Sequence, residues 1–147
     1  MSVVPIQILL VEDSEDDVIL TREVLRDAKV ANELSVVGDG DAALAYMRGE
    51  APYEDRIEPD VVLLDLNLPR RDAREVLAAL KSDPELATVP VIVLTTSAAE
   101  RDVVAAYEQR VNAYITKPIE YGDLVETLRS FEDFWLSIVK LPRRSGR

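Results

Sequence analysis

Three acids, a hydroxyl group and a lysine each follow an apolar segment of this 147-residue chain. Apolar segments ending at residues 11, 64 and 94 directly precede Glu12 and Asp13, Asp65, and Thr95. A fourth segment ends at residue 115, and Lys117 follows it after Thr116. Short apolar segments of this kind are typical of buried strands. In a parallel α/β sheet, ligands bind beyond the carboxyl ends of the strands. We therefore expect the five polar side chains to meet at one edge of a sheet.

A divalent metal site is the first chemistry that this grouping predicts. Three carboxylates at one edge repel each other unless a cation lies between them. Magnesium prefers hard oxygen ligands and is usually held by one or two carboxylates together with phosphate oxygens. We expect Asp13 and Asp65 to bind Mg²⁺ directly and Glu12 to act through water. Asn67 is placed to offer its backbone carbonyl.

Phosphoryl transfer is the second chemistry. A carboxylate can attack phosphorus and form an aspartyl phosphate, and a metal ion neutralises charge on the phosphoryl oxygens. Lys117 would add a compact positive charge beside the same group, and Thr95 a short hydroxyl donor.

Strand-like and helical segments alternate along the whole chain. Strands are predicted over residues 6–11, 34–37, 60–64, 91–94 and 113–116. Helices are predicted from about the N-cap Ser14, through 42–47 to a stop near Gly49, around Val76 to Leu80, over 101–109, and from near Glu120. Residues 50–59 are predicted to form a surface loop. Since parallel strands need helical crossovers, the pattern predicts a doubly wound α/β fold with helices on both faces of a five-stranded parallel sheet.

The composition excludes several classes of function. The chain has no histidine and no cysteine, which excludes a Ser-His-Asp triad, histidine or thiolate metal sites, and disulfides. Its net charge of −11 opposes non-specific binding to nucleic acid. Residues 1–7 lack the layout of a signal peptide, and no apolar run approaches the roughly 18 residues of a membrane span. We expect a cytoplasmic protein with neither nucleic acid nor membrane as a partner.

The motifs around these residues resemble the receiver domain of two-component response regulators. They read Leu9-Leu10-Val11-Glu12-Asp13, Leu64-Asp65-Leu66-Asn67-Leu68-Pro69, Leu94-Thr95-Thr96 and Tyr114-Ile115-Thr116-Lys117-Pro118. The resemblance covers about residues 6–130. It implies a flavodoxin-like sheet of order 2-1-3-4-5, Mg²⁺ as cofactor, and a phosphoacceptor that acts on itself without being an enzyme in the ordinary sense.

The resemblance also implies a role for each matching residue. Asp65 would accept the phosphoryl group, Glu12 and Asp13 would form the acid pair, and Lys117 would pair with the phosphate. The remaining positions are Thr95 and Tyr114 as the switch pair, Asn67 and Thr96 in the phosphate environment, and a cis Lys117-Pro118 bond. Tyr114 also has a plainer interpretation as a packing residue of its strand.

Ala73 departs from the family pattern, which commonly has glycine there. If that backbone needed a positive φ, alanine would cost on the order of 1 kcal/mol and the loop after Asp65 would be shaped differently.

The C-terminal part of the chain predicts an association surface. Residues 1–130 suffice for a receiver domain, and 131–147 form an extension of the last helix with a basic tail. The apolar stripe on this extension continues further than a small domain can bury, which favours helix-to-helix association in a homodimer. The candidate dimer residues are Phe131, Phe134, Trp135 and Ile138.

A narrower resemblance connects this extension and the 50–59 loop with single-domain response regulators that partner phytochrome-type histidine kinases. It implies a phytochrome-type sensor histidine kinase as phosphodonor. Two other classes stay open: a phosphorylation-independent interaction module, and an aspartate-nucleophile phosphohydrolase of the haloacid dehalogenase type. The phosphohydrolase would want an acid where Asn67 stands, and the interaction module would lack the acceptor or the lysine. The acceptor Asp65 and the lysine Lys117 are both present in this chain.

Overall fold

Five strands and three helices lie in the part of the chain that the computed structural model describes, namely residues 5–27, 31–66, 68, 73–95, 113–117, 120, 122–123 and 126. The strands are β1 (Ile6–Val11), β2 (Asn32–Val37), β3 (Val61–Asp65), β4 (Val91–Thr95) and β5 (Ala113–Thr116). The helices are α1 (Glu15–Arg26), α2 (Gly40–Arg48) and α3 (Ala73–Ser82). The helix predicted over 101–109 lies outside the described residues. Of the last predicted helix, only residues 122, 123 and 126 are described, and they are helical.

The strands form one parallel sheet in the order β2-β1-β3-β4-β5, which confirms the predicted fold. Strands β1 and β5 have the predicted bounds, whereas β2 begins at Asn32, two residues earlier than predicted. The reason is pairing: Ile6 of β1 lies opposite Asn32, so the ladder continues through polar residues that periodicity does not mark as strand. Likewise β3 and β4 each include their terminal polar residue, Asp65 and Thr95.

Helices cover both faces of the sheet, and this produces two apolar layers. Helix α1 packs on the layer containing Ile8, Leu10, Leu25, Val61, Leu63, Ile92, Leu94 and Ile115. Helices α2 and α3 pack on the layer containing Leu9, Val11, Leu44, Met47, Val62, Leu64, Val76, Leu77, Leu80, Val91 and Val93. Strands β1, β3 and β4 are buried along their whole length. Burial of each large side chain contributes about 1.5–3 kcal/mol, so the central strands that carry the site edge are strongly stabilised.

Local signals start and stop the helices. Ser14 caps α1 and its Oγ accepts a hydrogen bond from the Asp17 N–H at 3.3 Å, as its sequence position predicts. Gly49 ends α2 with φ of 68°, a left-handed conformation that favours glycine. Ala73 is the first residue of α3 and is fully buried. A helical residue has negative φ, so the strain considered for Ala73 does not arise.

The segment 50–59 closes over the end of α2. Arg56 donates from Nε to the Tyr46 carbonyl at 2.8 Å and from Nη2 to the Met47 carbonyl at 2.9 Å. These bonds give partners to carbonyls of the last turn of α2, of which the Tyr46 carbonyl also accepts from the Gly49 N–H at 3.1 Å. The rings of Tyr46 and Tyr53 lie 5.2 Å apart, and the Ala51-Pro52 peptide bond is cis. None of the described helices is both long enough and apolar enough to cross a membrane.

Candidate functional site

The parallel ladders bring the predicted polar residues to one edge. Val11 lies opposite Leu64, so Glu12 and Asp65 follow at neighbouring positions of adjacent strands. Beyond β5, the backbone N–H of Lys117 still donates to the Thr95 carbonyl at 2.8 Å. Because side chains alternate along a strand, Glu12, Asp65 and Lys117 share the face that α1 covers. The structure therefore brings three of the five expected side chains, Glu12, Asp65 and Lys117, into contact at this edge.

Lys117 is the centre of the site. Its Nζ lies 2.6 Å from Glu12 Oε1, 3.0 Å from Asp65 Oδ1 and 2.9 Å from Asp17 Oδ2. The contact with Asp17 is an aligned hydrogen bond between residues 100 positions apart. Sequence reasoning did not find Asp17. The available signal was the run of acids at the start of α1, directly after the N-cap Ser14.

The charged side chains at this edge are largely buried, which strengthens the electrostatic interactions between them. The side chains of Glu12 and Asp65 are 1% and 3% exposed, and that of Lys117 is 11% exposed. Burial raises the pKa of Glu12, and the Asp65 charge adds to this, although contact with Lys117 partly opposes both. Burial acts to lower the pKa of Lys117, but contacts with Glu12, Asp17 and Asp65 outweigh it and the net pKa is raised. The lysine is therefore charged at neutral pH.

Two buried carboxylate oxygens retain unused hydrogen-bonding capacity. Among the described residues, Glu12 Oε1 and Asp65 Oδ1 lack an aligned hydrogen-bond donor, although both lie close to the lysine ammonium as ion pairs. Glu12, Asp13 and Asp65 each present an oxygen, and these oxygens lie within 4.8 Å of one another. Asp13 is exposed to solvent, which leaves an approach to the group. Closely spaced hard oxygens of this kind fit a divalent cation.

The chain matches the family model described as the response regulator receiver domain over residues 8–129. It belongs to the response regulator receiver family. The acids and the lysine thus lie at the sheet edge of the fold that the sequence motifs predict.

Relatives of this receiver domain include regulators associated with phytochromes. Response regulator Rcp1 of Synechocystis sp. (strain PCC 6803) is 48% identical over 138 residues, which are 94% of each chain. The solved structure of the phosphorylated cyanobacterial phytochrome response regulator RcpA is 45% identical, has a TM-score of 0.75, and is matched over 95% of this chain and 99% of that chain. The Mn²⁺-bound form of Rcp1 gives 48% identity and a TM-score of 0.73, over 94% of this chain and 99% of that chain.

The two predicted switch residues lie on the opposite face of the receiver sheet. Thr95 ends β4 and is fully buried. Tyr114 of β5 is partly buried and packs against the apolar layer under α2 and α3. Strand alternation places Thr95 on that same face, since Val91 and Val93 belong to this layer. In this structure Tyr114 therefore packs against the apolar layer, in agreement with its plainer interpretation as a packing residue.

Several predicted site residues lie outside the described part of the chain. These are Asn67, Thr96 and the dimer candidates Phe131, Phe134, Trp135 and Ile138, together with the Lys117-Pro118 bond. The candidate site that the structure does describe consists of Glu12, Asp13, Asp65 and Lys117, with Asp17 as its addition. Thr95 ends the neighbouring strand and is buried.

Proposed function

We propose that this receiver domain accepts a phosphoryl group on Asp65 from a phytochrome-type sensor histidine kinase. The observation that carries the proposal is the Asp65 carboxylate, buried at the end of β3 with Oδ1 3.0 Å from Lys117 Nζ. A buried carboxylate beside a fixed ammonium is well placed to receive an anionic group, because the positive charge offsets the charge that arrives.

The reaction is a displacement at phosphorus. An Asp65 carboxylate oxygen forms a bond to phosphorus while the bond from phosphorus to the donor's imidazole nitrogen breaks, and the electron pair leaves with the imidazole. Lys117 pairs with an oxygen of the transferred group. Attack of water on the same phosphorus later restores the carboxylate and releases phosphate. The chain thus acts on its own side chain rather than on a released substrate.

Mg²⁺ is the proposed cofactor. Asp13 and Asp65 would hold it directly, Glu12 would act through water, and the Asn67 backbone carbonyl would complete the protein ligands. When bound, the ion supplies positive charge to the phosphoryl oxygens. The closely spaced oxygens of the acid group support this assignment, as does the Mn²⁺-bound form of the relative Rcp1.

The output proposed for the phosphorylated state is a change of surface. The phosphoryl group would draw the Thr95 hydroxyl inward, and Tyr114 would move into the space that this leaves. A shift of this kind needs a differential interaction of only a few kcal/mol. The common face of these residues supports their pairing.

The proposed partners are the kinase and a second copy of this chain. The similarity to the phytochrome response regulator RcpA supports the phytochrome pathway. The dimer would form through residues 131–147, with Phe131, Phe134, Trp135 and Ile138 at the contact, in a cytoplasmic protein. Sedimentation equilibrium showing only monomer at high micromolar concentration, with and without phosphorylation, would reject the dimer.

Intact mass spectrometry after incubation with acetyl phosphate tests the acceptor. We expect a gain of one phosphoryl group that requires Mg²⁺ and disappears in Asp65→Asn. Asp60→Asn is the matched control, because this acid precedes the opposite end of the same strand and should leave labelling intact. Labelling of Asp65→Asn at the wild-type level would place the acceptor elsewhere.

A further inference from the structure

Asp17 makes a contact that the acid group alone does not require. Its Oδ2 accepts the aligned hydrogen bond from Lys117 at 2.9 Å, yet Asp17 is not a member of the closely spaced group of Glu12, Asp13 and Asp65. The lysine is thus shared between two carboxylates of the proposed metal and phosphoryl site and one carboxylate outside it.

Both the backbone N–H and the backbone carbonyl of Asp17 make hydrogen bonds to side chains of α1 or its cap. Its N–H donates to Ser14 Oγ at 3.3 Å, and its carbonyl accepts from Thr21 Oγ1 at 2.8 Å. Thr21 is itself 2% exposed, which ties this turn of α1 to the core. The first turn of α1 therefore presents the Asp17 carboxylate to Lys117 from a fixed position.

A divalent cation and Lys117 compete for the same oxygens. The ammonium lies 2.6 Å from Glu12 Oε1 and 3.0 Å from Asp65 Oδ1. A cation that draws on these oxygens weakens both ion pairs of the lysine. A largely buried ammonium left without a partner would be costly, and that cost would weaken binding of the cation.

We propose that Asp17 is a positioning residue that keeps Lys117 paired while Glu12 and Asp65 turn to the metal. The Asp17 side chain is 34% exposed, so it stays partly hydrated while it contacts Lys117. The inference rests on the metal site of the proposed function. In this role Asp17 of α1 belongs to the metal site, and it acts through Lys117 rather than by binding the metal.

Calorimetric titration with MgCl₂ at constant ionic strength tests the role. Asp17→Asn keeps the backbone N–H and the side-chain shape but removes the charge. Asp16→Asn is the matched control, since it removes the same charge from the same helical turn. We expect Asp17→Asn to weaken Mg²⁺ binding roughly two- to fivefold more than Asp16→Asn does, the range typical of a partly exposed ion pair. Asp17→Glu, which retains a carboxylate, should bind Mg²⁺ close to the wild-type affinity.

The same titration in a Lys117→Met background separates positioning from simple charge loss. Without the lysine, Asp17→Asn should weaken Mg²⁺ binding no more than Asp16→Asn, because no ammonium remains to be held. Equal effects of the two substitutions in the wild-type background would overturn the inference while leaving the metal site standing. An effect of Asp17→Asn that persists without Lys117 would also overturn it. Absence of Mg²⁺ binding in the wild type would reject the metal site itself and this role with it.

Discussion

Replacing Lys117 by methionine tests whether the ammonium is the counter-ion of the site when no metal is bound. Methionine keeps most of the side-chain length and removes the charge. The substitution leaves the carboxylates of Glu12 and Asp65, which are 1% and 3% exposed, without their cation. Removing one partner of a buried pair costs about 3–5 kcal/mol of unfolding free energy. Since the pKa of Glu12 is already raised by burial, uptake of a proton there limits the cost.

Urea unfolding in EDTA and in saturating MgCl₂ measures this effect. In EDTA we expect the variant to lose stability within that range. In MgCl₂ we expect a larger gain for the variant than for the wild type, because the cation no longer competes with an ammonium. A ligand at 100 times its dissociation constant adds about 2.7 kcal/mol, and each tenfold tightening adds about 1.4 kcal/mol more.

Lys81→Met is the matched control for this experiment. The pKa of Lys81 is lowered by burial, and its Nζ donates to the carbonyls of Ala87 and Val89 at 3.2 and 3.1 Å. Its loss should cost stability equally in EDTA and in MgCl₂. Equal stability of Lys117→Met and wild type in EDTA, or equal gains from MgCl₂, would refute the counter-ion role.

Three further substitutions test the fold and the site by chemical and thermal unfolding. Gly49→Ala should lose about 1–2 kcal/mol, because φ is 68° and a Cβ would lie 3.3 Å from the Arg56 guanidinium; unchanged stability would contradict the left-handed cap. Ser14→Ala should lose about 0.5–2 kcal/mol with the α1 cap, measured against Ser82→Ala as an exposed control. The pKa of Glu12 is higher in the folded state than its unfolded-state pKa of 4.5. The stability that Glu12 contributes is therefore fully present below pH 4.5 and is lost as the pH rises through the folded-state pKa. Glu12→Gln should therefore match wild type in EDTA at low pH and gain relative stability as pH rises, and a pH-independent difference would count against this.

Local patterns in the sequence determine most of the fold. The apolar runs of β1, β3 and β4 predict strands because these strands are buried on both faces, which leaves few polar residues within them. Ser14 and Gly49 mark helix ends through backbone chemistry that acts within a few residues. Polar strand ends are different. Asn32, Asp65 and Thr95 join their strands only because a neighbouring strand supplies hydrogen bonds, so their inclusion could not be predicted from periodicity.

The residue types of the site were likewise determined by the sequence, since parallel strands must end at one edge and the motifs name what stands there. The pairing within the site was decided by the tertiary structure. Lys117 meets Asp17 across 100 positions because α1 packs on the face of the sheet from which the Lys117 side chain projects. That contact depends on the rotation of a helix about its own axis, which is set by how the Val18 and Leu25 side chains fit the sheet. The charges and spacing of residues along the chain do not predict how these side chains pack. Only the folded structure therefore shows which carboxylate accepts the hydrogen bond from Lys117.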